Sequence, residues 1–331
     1  MIPVSVLDLA VVTEGSNIRE TIEKSRNLAI HVEKLGYKRF WMAEHHNMEN
    51  IASSATAVLL GHMAEATETI RIGSGGVMLP NHSPLIIAEQ FGTLAEMYPD
   101  RVDLGLGRAP GTDQLTAAAI RPDRIQKVHN FPEEVAALQT YLSAENRHAK
   151  VRAIPGEGTD IPIWILGSST DSAYLAASLG LPYAFASHFA PQQLSIASKI
   201  YREQFKPSKQ LSEPKFMPCI NVIAADTDAE AEYLSTSLLQ MFMGVVTGKR
   251  SPLAPPVDDI RSMWPAHIEQ VVRQMLAGSF IGSPESIKKS MTAFVEQVQA
   301  DELMVATYMY DHELQLKSFR LFAEMVASAR E

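Results

Sequence analysis

Cysteine occurs once in the chain, at Cys219. A single thiol excludes a disulfide framework and a cysteine-rich metal centre, and it suits a reducing, cytoplasmic setting. Basic residues are in deficit as well: 29 Lys and Arg stand against 38 Asp and Glu, a formal charge of −9. Neutralising a phosphate backbone takes clustered cations, so nucleic acid is excluded as a partner. No apolar run approaches the roughly 18 residues needed to cross a bilayer. The opening Met1-Ile2-Pro3-Val4-Ser5-Val6-Leu7-Asp8 has no basic leader, so neither export nor a membrane partner is expected.

What is present is a globular balance over 331 residues, with 46% hydrophobic and 20% charged. Such a chain buries a large core, as two ordinary domains or as one α/β barrel. The 15 Met mostly fall inside apolar strand or helix patterns and read as core filler.

Short apolar runs alternate with amphipathic ones throughout. Strands are expected at residues 4–12, 39–44, 70–79, 102–107, 161–166, 182–187, 216–225 and 302–308. Helices are expected between them: residues 18–35, stopped by Gly36; residues 53–66, capped by Ser53 or Ser54; a stretch from Ser83-Pro84 to Tyr98-Pro99; and residues 132–142 after a long connection reaching Asn130. Further helices are expected at residues 169–179, 191–205, 227–243, 267–276, 284–298 and 311–329. Eight βα units imply parallel strands with right-handed crossovers and point to a single (β/α)8 TIM barrel over residues 1–331. An open doubly wound sheet is the alternative, since periodicity does not reveal closure. Residues 244–282 form an insertion between strands 7 and 8, read either as a cover for the site or as a solvated excursion.

A barrel puts its chemistry where strands end. Polar and glycine residues collect there: Glu44-His45-His46, Gly75-Gly76 through Asn81-His82, Gly107-Arg108, Ser168-Ser169, Ser187-His188 and Asp311-His312. By strand alternation Glu44 and His46 share a face that His45 opposes, unless the strand ends there. With no HExxH and no cysteine cluster, no metal is expected. His45 and His46 are candidates for hydrogen bonding or acid–base work, or are structural. Gly75-Gly76 marks a bulge or a flat ring lying on the backbone. Residues 105–111 fail as a dinucleotide fingerprint because of Pro110 and the glycine spacing, but Arg108 suits a phosphate. The glycines at 244 and 248 fail as a P-loop. Ser168 and Ser169 are either helix caps or, with free helix N–H groups, part of a phosphate site that Asp171 would oppose.

Trp41-Met42-Ala43-Glu44-His45-His46, then Gly73 to His82, Gly105 to Gly111, Trp164 to Ser169 and Asp301 to Val305 resemble, in matching order, the bacterial luciferase-like flavin monooxygenases. The likeness is nearer to the luciferase-like subgroup than to the light-emitting subunits. It implies a TIM barrel holding reduced FMN (FMNH2) at its mouth, a homodimer, and a separate flavin reductase. It also implies oxidation of a small organic substrate by O2 through a C4a-(hydro)peroxyflavin. By position, Glu44 would lie beside the flavin, Gly75-Gly76 would form a cis peptide under its ring, Arg108 and Ser169 would meet the phosphate, and His45 would be the catalytic histidine. Gly107 stands where luciferase has a reactive cysteine, which argues against light emission. An F420-dependent hydride-transfer enzyme on the same fold and a non-catalytic flavin-binding protein are the alternatives.

Overall fold

Alternating strand residues are buried on both sides because both sides of the sheet are covered. The structure, a computed structural model, describes residues 2–123 and 128–328. The strands are β1 (Val4–Asp8), β2 (Arg39–Met42), β3 (Arg71–Ser74), β4 (Val77–Met78), β5 (Val102–Gly107), β6 (Ile163–Gly167), β7 (Tyr183–Phe185), β8 (Phe216–Ala224), β9 (Ser279–Gly282) and β10 (Leu303–Ala306). All pair in parallel, in the order β10-β1-β2-β3-β5-β6-β7-β8, and β10 returns to β8 through Cys219↔Met304 and Asn221↔Ala306. The barrel is therefore closed. β4 also pairs with β5, so β3 and β4 make one stave interrupted at Gly75-Gly76. The far end of β8 pairs with β9, a strand that sequence reading left inside the insertion.

The helices are α1 (Ile18–Lys34), α2 (Thr56–Glu65), α3 (Pro84–Met97), α4 (Gln114–Ile120), α5 (Phe131–Leu142), α6 (Thr170–Leu179), α7 (Leu194–Gln204), α8 (Asp228–Thr247), α9 (Ala266–Met275), α10 (Pro284–Val298) and α11 (His312–Ser328). Asn17, Thr227 and Ser283 cap α1, α8 and α10 by accepting backbone N–H bonds from three residues on. The expected cap of α2 does not form. That helix begins one turn later, and Ser53 instead donates to the Leu9 carbonyl at 2.9 Å. The long connection contains α4, which was not foreseen; its residues 124–127, like Met1 and the end of the last helix at 329, lie outside the described residues.

Strand alternation creates two cores. Val4, Val6, Phe40, Ile72, Leu104 and Ile163 pack outward against the helices. Leu7, Trp41, Trp164, Met217, Cys219 and Met304 fill the bore, where Trp41 and Trp164 meet edge-on at 5.3 Å. The floor of the barrel is ionic and buried. Arg39 bonds Asp103 at 2.5 Å and Glu302 at 2.8 Å, and Arg71 reaches the other oxygen of Asp103 at 2.6 Å.

The insertion has structure of its own. α8 continues through residues 244–247, and the chain then makes a 3-10 turn at Ile260–Met263 and enters α9. Leu253 anchors it: its N–H donates to the Val12 carbonyl and its carbonyl accepts from Glu14 N–H, each at 2.8 Å. Ile260 and Trp264 of the same segment are buried with the bore cluster.

Candidate active site at the barrel mouth

Just beyond β2 the chain turns Glu44 inward, where it is only 2% exposed. Its Oε1 accepts from Nε2 of His46 and of His82, each at 2.8 Å, and its Oε2 accepts the Met78 N–H at 3.1 Å. A carboxylate only accepts, so both rings carry their proton on Nε2. Burial would raise this carboxyl, but the bonds from His46, His82 and Met78 outweigh it and hold Glu44 at about 2. His46, expected among the catalytic residues, is thus part of a bracket that ties the β2 loop to the loop after β4. Glu44, His46 and His82 place three ligand atoms within 4.8 Å of one another, a grouping the sequence did not reveal because His82 lies 38 positions from Glu44.

His45 stays out of that bracket. Its backbone N–H bonds the Ser53 carbonyl, while its half-buried side chain keeps Nδ1 buried and unpartnered among the described residues. Burial pushes the ring down to about 4, with Arg250 and His46 adding to the fall and Glu44 opposing it. His188, beyond β7, is likewise pushed down, to about 3, by burial and by the nearby His45. Both imidazoles are uncharged at neutral pH.

Gly75-Gly76 forms a non-prolyl cis peptide. The two glycines are also sterically required. A Cβ on Gly75 would come within 2.6 Å of Leu7 Cδ1, and one on Gly76 within 2.8 Å of the Gly105 carbonyl oxygen. The alternation of sheet pairing breaks here, so the reading as a bulge and the reading as a ligand platform concern the same atoms.

Arg108, Leu166, Asp171, Ser172 and Phe131 line a cavity of about 310 Å³ beyond β5 and β6. Ser168 and Ser169 follow β6 directly, and Ser169 stands at the N-cap position of α6 without making a side-chain cap bond. Its carbonyl accepts from Ser172 Oγ at 2.7 Å. Asp171 does not point away from Arg108, as a phosphate site would prefer; its Oδ2 is 3.6 Å from the guanidinium.

Residues 2–301 match the sequence profile of the luciferase-like monooxygenase family. The chain belongs to that family. A luciferase-like monooxygenase of Escherichia coli (strain K12) is 49% identical over 317 residues, covering 96% of this chain and 95% of that protein. The N-acetyl-S-alkylcysteine monooxygenase of Bacillus subtilis (strain 168) is 31% identical over 341 residues and covers 100% of both. The crystal structure of apo-MsnO8, 32% identical, agrees with a TM-score of 0.89 over 99% of each chain. Two further structures share the fold alone. The oxygenating constituent of 3,6-diketocamphane monooxygenase from Pseudomonas putida, in complex with FMN, has 17% identity and a TM-score of 0.72 over 99% of this chain and 98% of its own. An F420-dependent secondary alcohol dehydrogenase with an F420-acetone adduct has 15% and 0.69 over 100% and 99%.

Membership in the luciferase-like monooxygenases makes an oxidoreductase reading the natural one, and the mouth fits a bound organic cofactor. His45 Nδ1, His188 Nδ1 and Asn221 Oδ1 are buried there with no partner among the described residues, and Arg108 faces a cavity. Sequence reading placed His82 and His188 at strand ends but gave them no role, and it passed over Asn221. Asn221 sits inside an apolar strand, and only its place in the closed barrel brings it to the mouth.

Proposed function

We propose that this luciferase-like protein is a two-component monooxygenase that takes reduced FMN from a separate flavin reductase and uses O2 on a small organic substrate. The observation that carries the reading is the cavity of about 310 Å³ lined by Arg108, beside the start of α6. A guanidinium beside a helix start, where the Thr170 N–H is held only by the side chain of Gln193, suits a phosphate monoester. Arg108, Ser168 and Ser169 would hold that phosphate, Gly75 and Gly76 would carry the ring, and Glu44 would fix the loops on either side. Reduced flavin, when bound, supplies the electrons for oxygen activation.

The chain's own residues do the rest. His45 offers an uncharged imidazole that can give or take a proton at a ring nitrogen. The segment anchored at Leu253 covers the mouth and excludes water. We read the working form as a cytoplasmic homodimer; Val58 on α2 with Ile86 and Met97 on α3 are exposed apolar side chains suited to a subunit contact.

Anaerobic spectral titration with FMN, riboflavin and F420, oxidised and reduced, tests the assignment. Reduced FMN should bind best, and oxygen uptake should then depend on a reductase and an organic substrate. Tight binding of F420 without binding of reduced FMN would replace this reading by hydride transfer. Flavin binding with no oxygen-dependent turnover across a broad substrate screen would point to a non-catalytic flavin-binding protein.

A further inference from the structure

We infer that His188 and His45 form the polar wall of the substrate chamber and select an uncharged group that both donates and accepts hydrogen bonds, such as an amide, over a carboxylate or sulfonate. The inference rests on the active-site reading above and adds the substrate class to it. The two residues enter from opposite sides, since β2 and β7 lie four staves apart in the ring β1-β2-β3-β5-β6-β7-β8-β10. His188 is buried and His45 half-buried, and each leaves a buried Nδ1 without a partner among the described residues.

A third unpartnered atom completes the wall. Asn221 Nδ2 donates to the His188 carbonyl at 2.6 Å and to Ser279 Oγ at 3.1 Å, which ties the His188 loop to the end of the covering segment. Its Oδ1 is buried with nothing to accept from among the described residues. Buried polar atoms left unpaired are costly, so a ligand that matches them is favoured. Oδ1 only accepts, so that ligand must bring an N–H or O–H; a neutral imidazole offers one donor and one acceptor. Burial keeps both rings uncharged at neutral pH, so they supply no counter-ion to an anion. Below them the wall is apolar, with Trp41, Trp164, Met217 and Met304. Glu44, ionised and buried one residue from His45, adds repulsion for a second carboxylate. Arg250 is the cation that acts on His45; its guanidinium is exposed to water and rests on Met48 Sδ at 3.0 Å.

Benzamide and benzoate make the test, since they share a ring and differ in charge. With FMN-loaded protein, perturbation of the flavin absorbance gives both affinities. With flavin-free protein, 15N-histidine NMR follows the ring resonances, assigned through His45→Gln and His188→Gln. Benzamide should bind about tenfold tighter than benzoate or better and should move both the His45 and His188 signals. His188→Phe should erase the preference, and His188→Gln, which keeps an uncharged donor and acceptor, should retain part of it. Equal or tighter binding of benzoate, no response to either probe, or a preference that survives His188→Phe would overturn the inference. Failure of FMN to bind, with the preference intact by NMR, would remove the cofactor reading and leave this one standing.

Discussion

Asp171 Oδ2 lies 3.6 Å from the guanidinium of Arg108 at the rim of the cavity beyond β5, so the cation offered to an anion already has a carboxylate beside it. The side chains are 52% and 73% exposed, and an ion pair that open to water is weak enough for an incoming phosphate to displace. Arg108→Ala should therefore weaken FMN about tenfold and riboflavin hardly at all, because only FMN carries the phosphate. Calorimetric titration with both ligands reads the difference. Equal losses would make Arg108 a structural residue.

The same pair predicts a gain. Asp171→Asn removes the competing carboxylate and should tighten FMN by roughly two- to fivefold at low salt. The gain should shrink at high ionic strength, because screening removes the competition that Asp171 provides. A salt-independent gain would locate the effect in the α6 backbone instead.

The adjacent histidines should behave differently when truncated. His45→Ala should leave flavin affinity unchanged, lower coupled turnover by about 10²–10⁴-fold and release hydrogen peroxide in place of product. His46→Ala should instead cost stability, about 1–3 kcal/mol, because it removes one of the donors on buried Glu44. Peroxide release, product yield and thermal melting of the two variants separate the roles. Retention of full coupling in His45→Ala would assign that residue to packing.

Stability should fall in mild acid because of the buried histidines. An unfolded histidine takes its proton near 6.5, whereas folded His45 holds off to about 4 and His188 to about 3. Between those values the unfolded chain binds more protons, so stability is full above pH 6.5 and declines as pH falls toward 4. His312, also lowered by burial, adds to the slope. Glu44 acts lower: its contribution is present above 4.5 and is lost as pH falls through about 2. Melting temperatures from pH 7.5 to 5 should show the decline, and His188→Gln should flatten it.

Glu44, His46 and His82 have the composition of a divalent-cation site, but both ring protons point at the carboxylate that would have to bind the ion. Zinc or manganese in excess should raise the melting temperature by less than about 1 °C. A stoichiometric ion retained through dialysis would show the bracket to be a metal centre after all.

The order of strands and helices was legible because parallel strands covered on both sides are uniformly apolar and their helices carry a separate period. Closure was legible only through the count of eight units, not in any local pattern, since the Cys219↔Met304 register joins residues 85 positions apart. The glycine pair at 75 and 76 stood out in the sequence because few other residues fit there. The bracket around Glu44 did not, because hydrogen bonds between side chains leave no spacing signal. Ser53 misled for a related reason: a hydroxyl before an apolar run reads as a cap, yet a carbonyl brought close by the fold competed for it.

The ionic floor bears on traffic. Arg39, Asp103 and Glu302 are at most 6% exposed and cross-linked, so nothing passes through the bottom of the barrel. Molecules that reach the bore therefore enter from the opposite end, where the strands finish beside Glu44 and the Gly75-Gly76 pair.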